Sequence, residues 1–248
     1  MRDRSSAWLG ALRDDGPLRS AGCGPRCAEM PQHLAGKDNV APMSISADHD
    51  IDDDDDERLG KLPVPDHVQD AIRTLIRWAG DDPTREGLID TPKRVARAWK
   101  EYCQGYGEDP AVHLARQFEE VGGYHELVLL KDIPFQSHCE HHMAPIVGKA
   151  SIAYLPRDKV VGISKLARVL NAYSRRLQIQ ERLTSEVAQC IWDALKPHGV
   201  AVVIEAQHGC MTGRGVRTPG VGMITSRLLG VFLEDNRSRK EVLSLMGY

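Results

Sequence analysis

Two short segments far apart in the chain restrict its fold more than anything else in it: His138-Cys139-Glu140-His141-His142 and His208-Gly209-Cys210. Two thiols and several imidazoles at such spacing can gather one soft divalent metal, and a mixed Cys/His set of three or four ligands is what zinc prefers. Any fold that uses them must carry Cys139 to Cys210. Cys139-x-x-His142 offers two ligands from one turn. His208-x-Cys210 offers one or two more if it is a strand, because residues i and i+2 point to one face. Five candidates compete for three or four places. Three ligands would leave a position open beside a spare imidazole, four would close the site, and spacing alone does not choose. Cys-x-x-His also occurs by chance or in structural zinc knots, and a Cys139–Cys210 disulfide is a further reading. The six cysteines are irregularly spaced, however, and nothing else points to an oxidising compartment.

The formal charge of −3 over 248 residues gives no general affinity for nucleic acid or an anionic membrane. An anionic substrate must therefore be drawn in by a local cluster of Lys and Arg. No apolar signal segment or membrane-length run stands out, so the expected location is the cytoplasm. Residues 1–61 carry scattered Arg, Gly, Pro and Ser without an apolar period, then the acidic run from Asp50 to Glu57. Such a like-charge block is expected to be a disordered, dispensable extension, and Met43 is a candidate start.

Folding is expected from Leu62. Asp66 reads as an N-cap before an apolar stripe of Val68, Ile72, Leu75, Ile76 and Ala79, stopped at Gly80. Thr91-Pro92 opens a second helix that buries Val95, Ala98, Trp99 and Tyr102. Strands over residues 126–133 and 146–154 flank the Cys139 turn. Helices follow from Ser164 to about Arg175 and from Gln180 to Leu195, then strands over 200–208 and 223–233, and a short helix from Asn236. Two strands, two helices and two strands indicate α+β with a mainly antiparallel sheet. The expected parts are an extension (1–61), an N-terminal helical segment (62–123) and a catalytic domain (124–248).

Ser164 is read as the cap of a helix whose first turns carry Lys165 and Arg168 on one face. Free N–H groups and two cations there make a phosphate cradle, or simply a solvated basic face. Arg214 lies close behind Cys210, and Arg94 sits on the second helix. Gln180-Glu181 opens the long helix. A first-turn Glu suits the helix dipole, but an amide beside a carboxylate can also read a guanine edge, the carboxylate accepting from N1–H and the 2-amino group and the amide donating to O6.

Four segments occur together: Ser137 to His142, Gly162 to Arg168, Gln178 to Thr184 and His208 to Gly215. As an ordered set they closely resemble GTP cyclohydrolase I, from about Val64 to the C-terminus. The resemblance implies a tunnelling fold (T-fold), an antiparallel sheet with two packed helices, whose subunits form pentameric barrels stacked as a homodecamer. It implies one zinc per subunit on Cys139, His142 and Cys210, and catalytic roles for His141, His208 and Ser164. It puts Gln180 and Glu181 on the guanine and Lys165, Arg168, Arg214 and Arg94 on the triphosphate, with Glu140 also at the substrate. The implied reaction turns GTP and water into formate and 7,8-dihydroneopterin triphosphate, opening pterin and tetrahydrofolate synthesis. Three rivals remain at this point: a closed structural zinc protein, a T-fold enzyme acting on another pterin or a deazapurine, and a zinc base deaminase, whose His-x-Glu and Pro-Cys-x-x-Cys signature is absent.

Overall fold

The computed structural model describes residues 63–119, 124 and 126–248. The extension and acidic run expected over residues 1–61 lie outside them. Helices α1 (Asp66–Trp78) and α2 (Thr91–Tyr102) come first, followed after two 3₁₀ turns by the short strand β1 (Gln117–Phe118). Then come β2 (Val128–Cys139), β3 (Pro145–Leu155), β4 (Val160–Val161), α3 (Ile163–Ser174), β5 (Leu177–Gln178) and α4 (Gln180–Leu195). The chain ends with β6 (Gly199–His208), a one-turn helix α5 (Gly209–Thr212), β7 (Gly222–Gly230), α6 (Val231–Glu234) and α7 (Asn236–Met246). The architecture is α+β. Five strands form a sheet in the order β5-β2-β3-β6-β7, antiparallel except for β5, which runs parallel to β2.

Alternation along β6 divides the core. Val200, Val202, Ile204 and Ala206 face a cluster containing Leu166, Val169 and Leu170 of α3 and Leu183, Val187 and Ile191 of α4. Ala201 and Val203 point to the other side, where Phe232, Val242 and Met246 of α6 and α7 cover them. Both faces being covered explains why β6 reads as an apolar run instead of an alternating one. No helix among the described residues is long and apolar enough to cross a membrane.

Several local expectations need correction. The helix begins at Asp66 itself, with Pro65 as its cap residue and no side-chain cap; Gln69 instead donates through Nε2 to the Val64 carbonyl at 3.0 Å. The stripe of α1 buries no residue within the chain, and Leu75 is 60% exposed. Ser164 is not a cap either, because α3 starts at Ile163 after Gly162. Strand β2 runs on to Cys139, so this cysteine ends a strand instead of standing in a free turn. Conversely β7 stops at Gly230, which adopts φ 59°, ψ −135° and turns the chain into α6.

That backbone region is open essentially to glycine alone. A Cβ on Gly230 would also run into the His198 carbonyl and stand 2.7 Å from the Trp192 ring. Gly230→Ala is therefore expected to lower the unfolding free energy by about 2 kcal/mol or more. Urea denaturation at fixed protein concentration measures this, and a loss under about 0.5 kcal/mol would contradict the strain assigned here.

Candidate metal centre and active site

The ladder between β2 and β3 closes tightly at the Cys139 end. Cys139 N–H donates to the Ala144 carbonyl at 2.8 Å, and Met143 N–H donates to the Cys139 carbonyl at 2.7 Å. Met143 takes the left-handed φ of 53° that so short a turn needs. The turn is gripped from its other side by β5: His138 pairs with Leu177, Cys139 with Gln178, and Glu140 N–H donates to the Gln178 carbonyl at 3.0 Å. Across β3, Ile146 pairs with His208, so the end of β6 arrives beside the turn.

There the chain departs from the strand expected through Cys210. His208 is the last residue of β6, and Cys210 sits in α5. The shared strand face proposed for them does not exist, and the single helical turn swings Cys210 round to Cys139. Donor atoms of Cys139, His142 and Cys210 all lie within 4.8 Å of one another. Cys139 is buried, Cys210 half-buried and His142 exposed, so the group opens toward solvent.

The cluster fits a metal ion. Bond lengths of about 2.0 Å to nitrogen and 2.3 Å to sulfur put tetrahedral ligand atoms roughly 3.3–3.8 Å apart, slightly closer than these stand. Cys139 Sγ is 4.0 Å from His142 Nδ1. Burial and the adjacent Cys139 thiol push the Cys210 thiol up, while Arg214 pulls it down. A cation beside Cys210 would offset the penalty of ionising its thiol there. His141 Nδ1 is 3.7 Å from Cys139 Sγ, yet His141 does not belong to the mutually close set, and neither does His208.

His208 turns its Nε2 to Gln180 Oε1 at 2.8 Å. Burial pushes its pKa down and the Glu181 carboxylate partly opposes this. Gln180, expected to face a guanine, is 1% exposed, and its amide is engaged by β6 and β7. Glu140 is likewise occupied: Arg182 Nη2 donates to its Oε2 at 2.6 Å, and Arg182 also reaches Gln178 Oε1 at 2.9 Å and the Leu177 carbonyl at 2.9 Å. Glu181 between them is exposed and makes no side-chain hydrogen bond or ion pair among the described residues.

Arg214 is near enough to act on Cys210. Lys165 and Ser164 lie in the first turn of α3 and Arg168 one turn on, while Arg94 is exposed on α2. None of these makes a hydrogen bond or ion pair to the cluster within the chain among the described residues. Sequence reasoning gave no role to Arg182, nor to Thr225, whose hydroxyl is 3.1 Å from Gln180 Nε2 and 2.7 Å from the Thr184 hydroxyl. Arg182 follows Glu181 directly in a segment already singled out, whereas nothing in the sequence marks Thr225.

Cys210→Ser replaces a soft donor with a hard one and should remove most bound metal after loading with zinc, by elemental analysis of the folded protein. Full occupancy in that variant would contradict the ligand role.

The family model for GTP cyclohydrolase I matches residues 68–247. The GTP cyclohydrolase 1 of Hyphomonas neptunium is 52% identical over 187 residues, covering 75% of this chain and 91% of that protein. That of Brucella anthropi is 58% identical over 168 residues, covering 68% and 79%. A solved structure, the archaeosine synthase QueF-Like in the apo form, aligns with 42% of this chain at 21% identity and a TM-score of 0.36, too slight a likeness to bear on the fold. With sequence identity of this extent across nearly the whole described region, the chain belongs to the GTP cyclohydrolase I family.

Proposed function

We infer that this protein hydrolyses GTP to formate and 7,8-dihydroneopterin triphosphate with one zinc per subunit. The observation that carries this reading is the Cys139–His142–Cys210 set, with the unengaged Glu181 carboxylate acting on His208 close by. Two thiolates and an imidazole suit zinc, and three protein ligands leave a position open. Zinc, when bound, supplies water of lowered pKa, to about 7 in the best cases, which is the nucleophile chemistry a hydrolysis at guanine C8 needs.

The chain's own groups do the rest. Glu181 accepts from guanine N1–H and the 2-amino group, which singles out guanine because adenine presents an unprotonated N1 there. His141, exposed beside Cys139, gives a proton to N7 as the C8–N bond opens. His208 moves protons in the later ring-opened stages, with Ser164 as a second group for those transfers. Lys165 and Arg168 meet the triphosphate at the N-terminus of α3, where Gly162 offers no side chain to occupy the free N–H groups; Arg214 and Arg94 add charge. Gln180 and Glu140, whose side chains are engaged within the chain, serve this site by holding His208 and the Cys139 turn.

The family's T-fold assembly, two stacked pentamers with sites between subunits in the cytoplasm, is part of this reading. Two long strand edges support it. Among the described residues β7 pairs with β6 alone, and β2 from Val128 to Ser137 pairs with β3 alone. Different edges at opposite sides of one sheet join head to tail, the arrangement that closes into rings. A second copy would also bring further cations to a cluster that one chain leaves open.

Purified, zinc-loaded protein incubated with GTP is expected to release formate and give the fluorescence of the oxidised pterin, with ATP used about 10⁴-fold less efficiently. Glu181→Gln should lower kcat/KM for GTP by about 10- to 100-fold, the worth of a charge-assisted hydrogen bond. Absence of formate from the wild type would overturn the activity, and an unchanged kcat/KM in the variant would overturn the guanine contact.

A further inference from the structure

Two backbone carbonyls fix which way the Gln180 amide points. Gln180 Nε2 lies 3.0 Å from the Ile204 carbonyl, 2.9 Å from the Met223 carbonyl and 3.1 Å from Thr225 Oγ1. Carbonyl oxygens only accept, so the amide nitrogen must face β6 and β7 and the amide cannot be flipped. Thr184 Oγ1 is 2.7 Å from the Gln180 backbone carbonyl, and its one proton is spent there. The 2.7 Å contact between the Thr184 and Thr225 hydroxyls therefore has Thr225 donating, and with two amide hydrogens for three acceptors the Thr225 oxygen shares a Gln180 hydrogen with a carbonyl. With the amide so fixed, Oε1 is what His208 Nε2 meets at 2.8 Å. An amide oxygen cannot donate, so Nε2 must carry the hydrogen.

We propose that Gln180 is a positioning residue that fixes His208 in one orientation as its Nε2–H tautomer, with Nδ1 the bare ring nitrogen and with Thr225 and Thr184 supporting the Gln180 amide. The hydrogen bond outlasts a proton transfer. When Nδ1 gains a proton the ring becomes imidazolium, and Nε2–H still donates to the same oxygen, now as a charge-assisted bond. The ring keeps one orientation through the cycle, as a group that moves several protons in sequence requires. A Gln180 amide swung outward to a purine would instead strip three acceptors and the His208 N–H of their partner at a residue 1% exposed. The kinetic consequence rests on the reading of His208 as a proton-moving group; the tautomer does not.

Magic-angle-spinning NMR of zinc-loaded, ¹⁵N-histidine-labelled full-length protein at neutral pH tests the tautomer, with the His208 signals identified by their loss in His208→Ala. A proton-bearing Nε2 and a bare, pyridine-type Nδ1 are expected; a protonated Nδ1 or an averaged mixture would overturn the proposal. Kinetically, Gln180→Leu should lower kcat by about 10- to 100-fold, the worth of one hydrogen bond to a group that becomes charged. KM for GTP should stay within about twofold and zinc content should be unchanged. A raised KM at unchanged kcat would make Gln180 a substrate contact and overturn the proposal. Should Gln180→Leu fail to fold, Thr225→Val should lower kcat in the same direction at constant KM, with Thr225→Ser restoring it. A lowered melting temperature with unchanged kcat in Thr225→Val would mean the network is structural only and would also overturn it. If the wild type released no formate while His208 still showed the Nε2–H form, the proposed function would fall and the tautomer assignment would stand.

Discussion

The structure depends on strand β3 being paired along both edges. Its partners β2 and β6 lead into the two halves of the Cys/His cluster, and the register of each ladder decides whether those halves meet. Pro145 opposite His138 and Ile146 opposite His208 place both strand ends at one corner of the sheet. A slip of one residue would turn the side chains of a strand to its other face. Packing on both faces resists the slip: Ile152, Tyr154, Val200 and Val202 fill one cluster and the smaller Ala153 and Ala201 the other, so a shift would exchange large and small side chains between two close-packed cores. The catalytic corner is thus fixed by apolar packing far from the metal.

Polar contacts then set the details, and the start of α4 does most of this. Successive helical residues point about a third of a turn apart, and Gln180, Glu181 and Arg182 use three directions for three tasks. Gln180 points inward to β6, β7 and His208; Arg182 reaches back to Glu140 in the Cys139 turn; Glu181 is left exposed between them. One helix end thereby ties the Cys139 turn, His208 and the exposed Glu181 carboxylate to a common rigid element, the kind of arrangement that keeps side chains in register.

Much of this was legible in the sequence. Apolar periodicity and turn residues located α1, α2, α3, α4, β3 and β6 closely, while the Cys/His spacing gave five candidates, of which the fold gathers the three that the family resemblance implied. What was not legible depended on tertiary context. The end of β2 looked like loop because Phe135, Ser137 and Cys139 alternate with Pro134, Gln136 and His138, and pairing with both β3 and β5 overrides that mixed composition. Cys210 was assigned to a strand because the i, i+2 spacing fits one, but Gly209 lies close against Pro145 and the chain turns into α5 there. The amide of Gln180 and the carboxylate of Glu140 looked available to a substrate because sequence carries no record of which polar groups a fold satisfies internally. The stripe on α1 packs only partly within one chain: Val68, Ile72 and Ile76 are half-buried and Leu75 is exposed.

The proposed chemistry requires a zinc held by Cys139, His142 and Cys210 with one position open, and His141 and His208 beside it but off the metal. Zinc K-edge X-ray absorption on the loaded full-length protein examines this directly. The predicted spectrum has two sulfurs at about 2.3 Å, two lighter atoms at about 2.0–2.1 Å and outer-shell scattering from one imidazole. Scattering from two imidazoles would place His208 or His141 on the metal, close the site and contradict the mechanism.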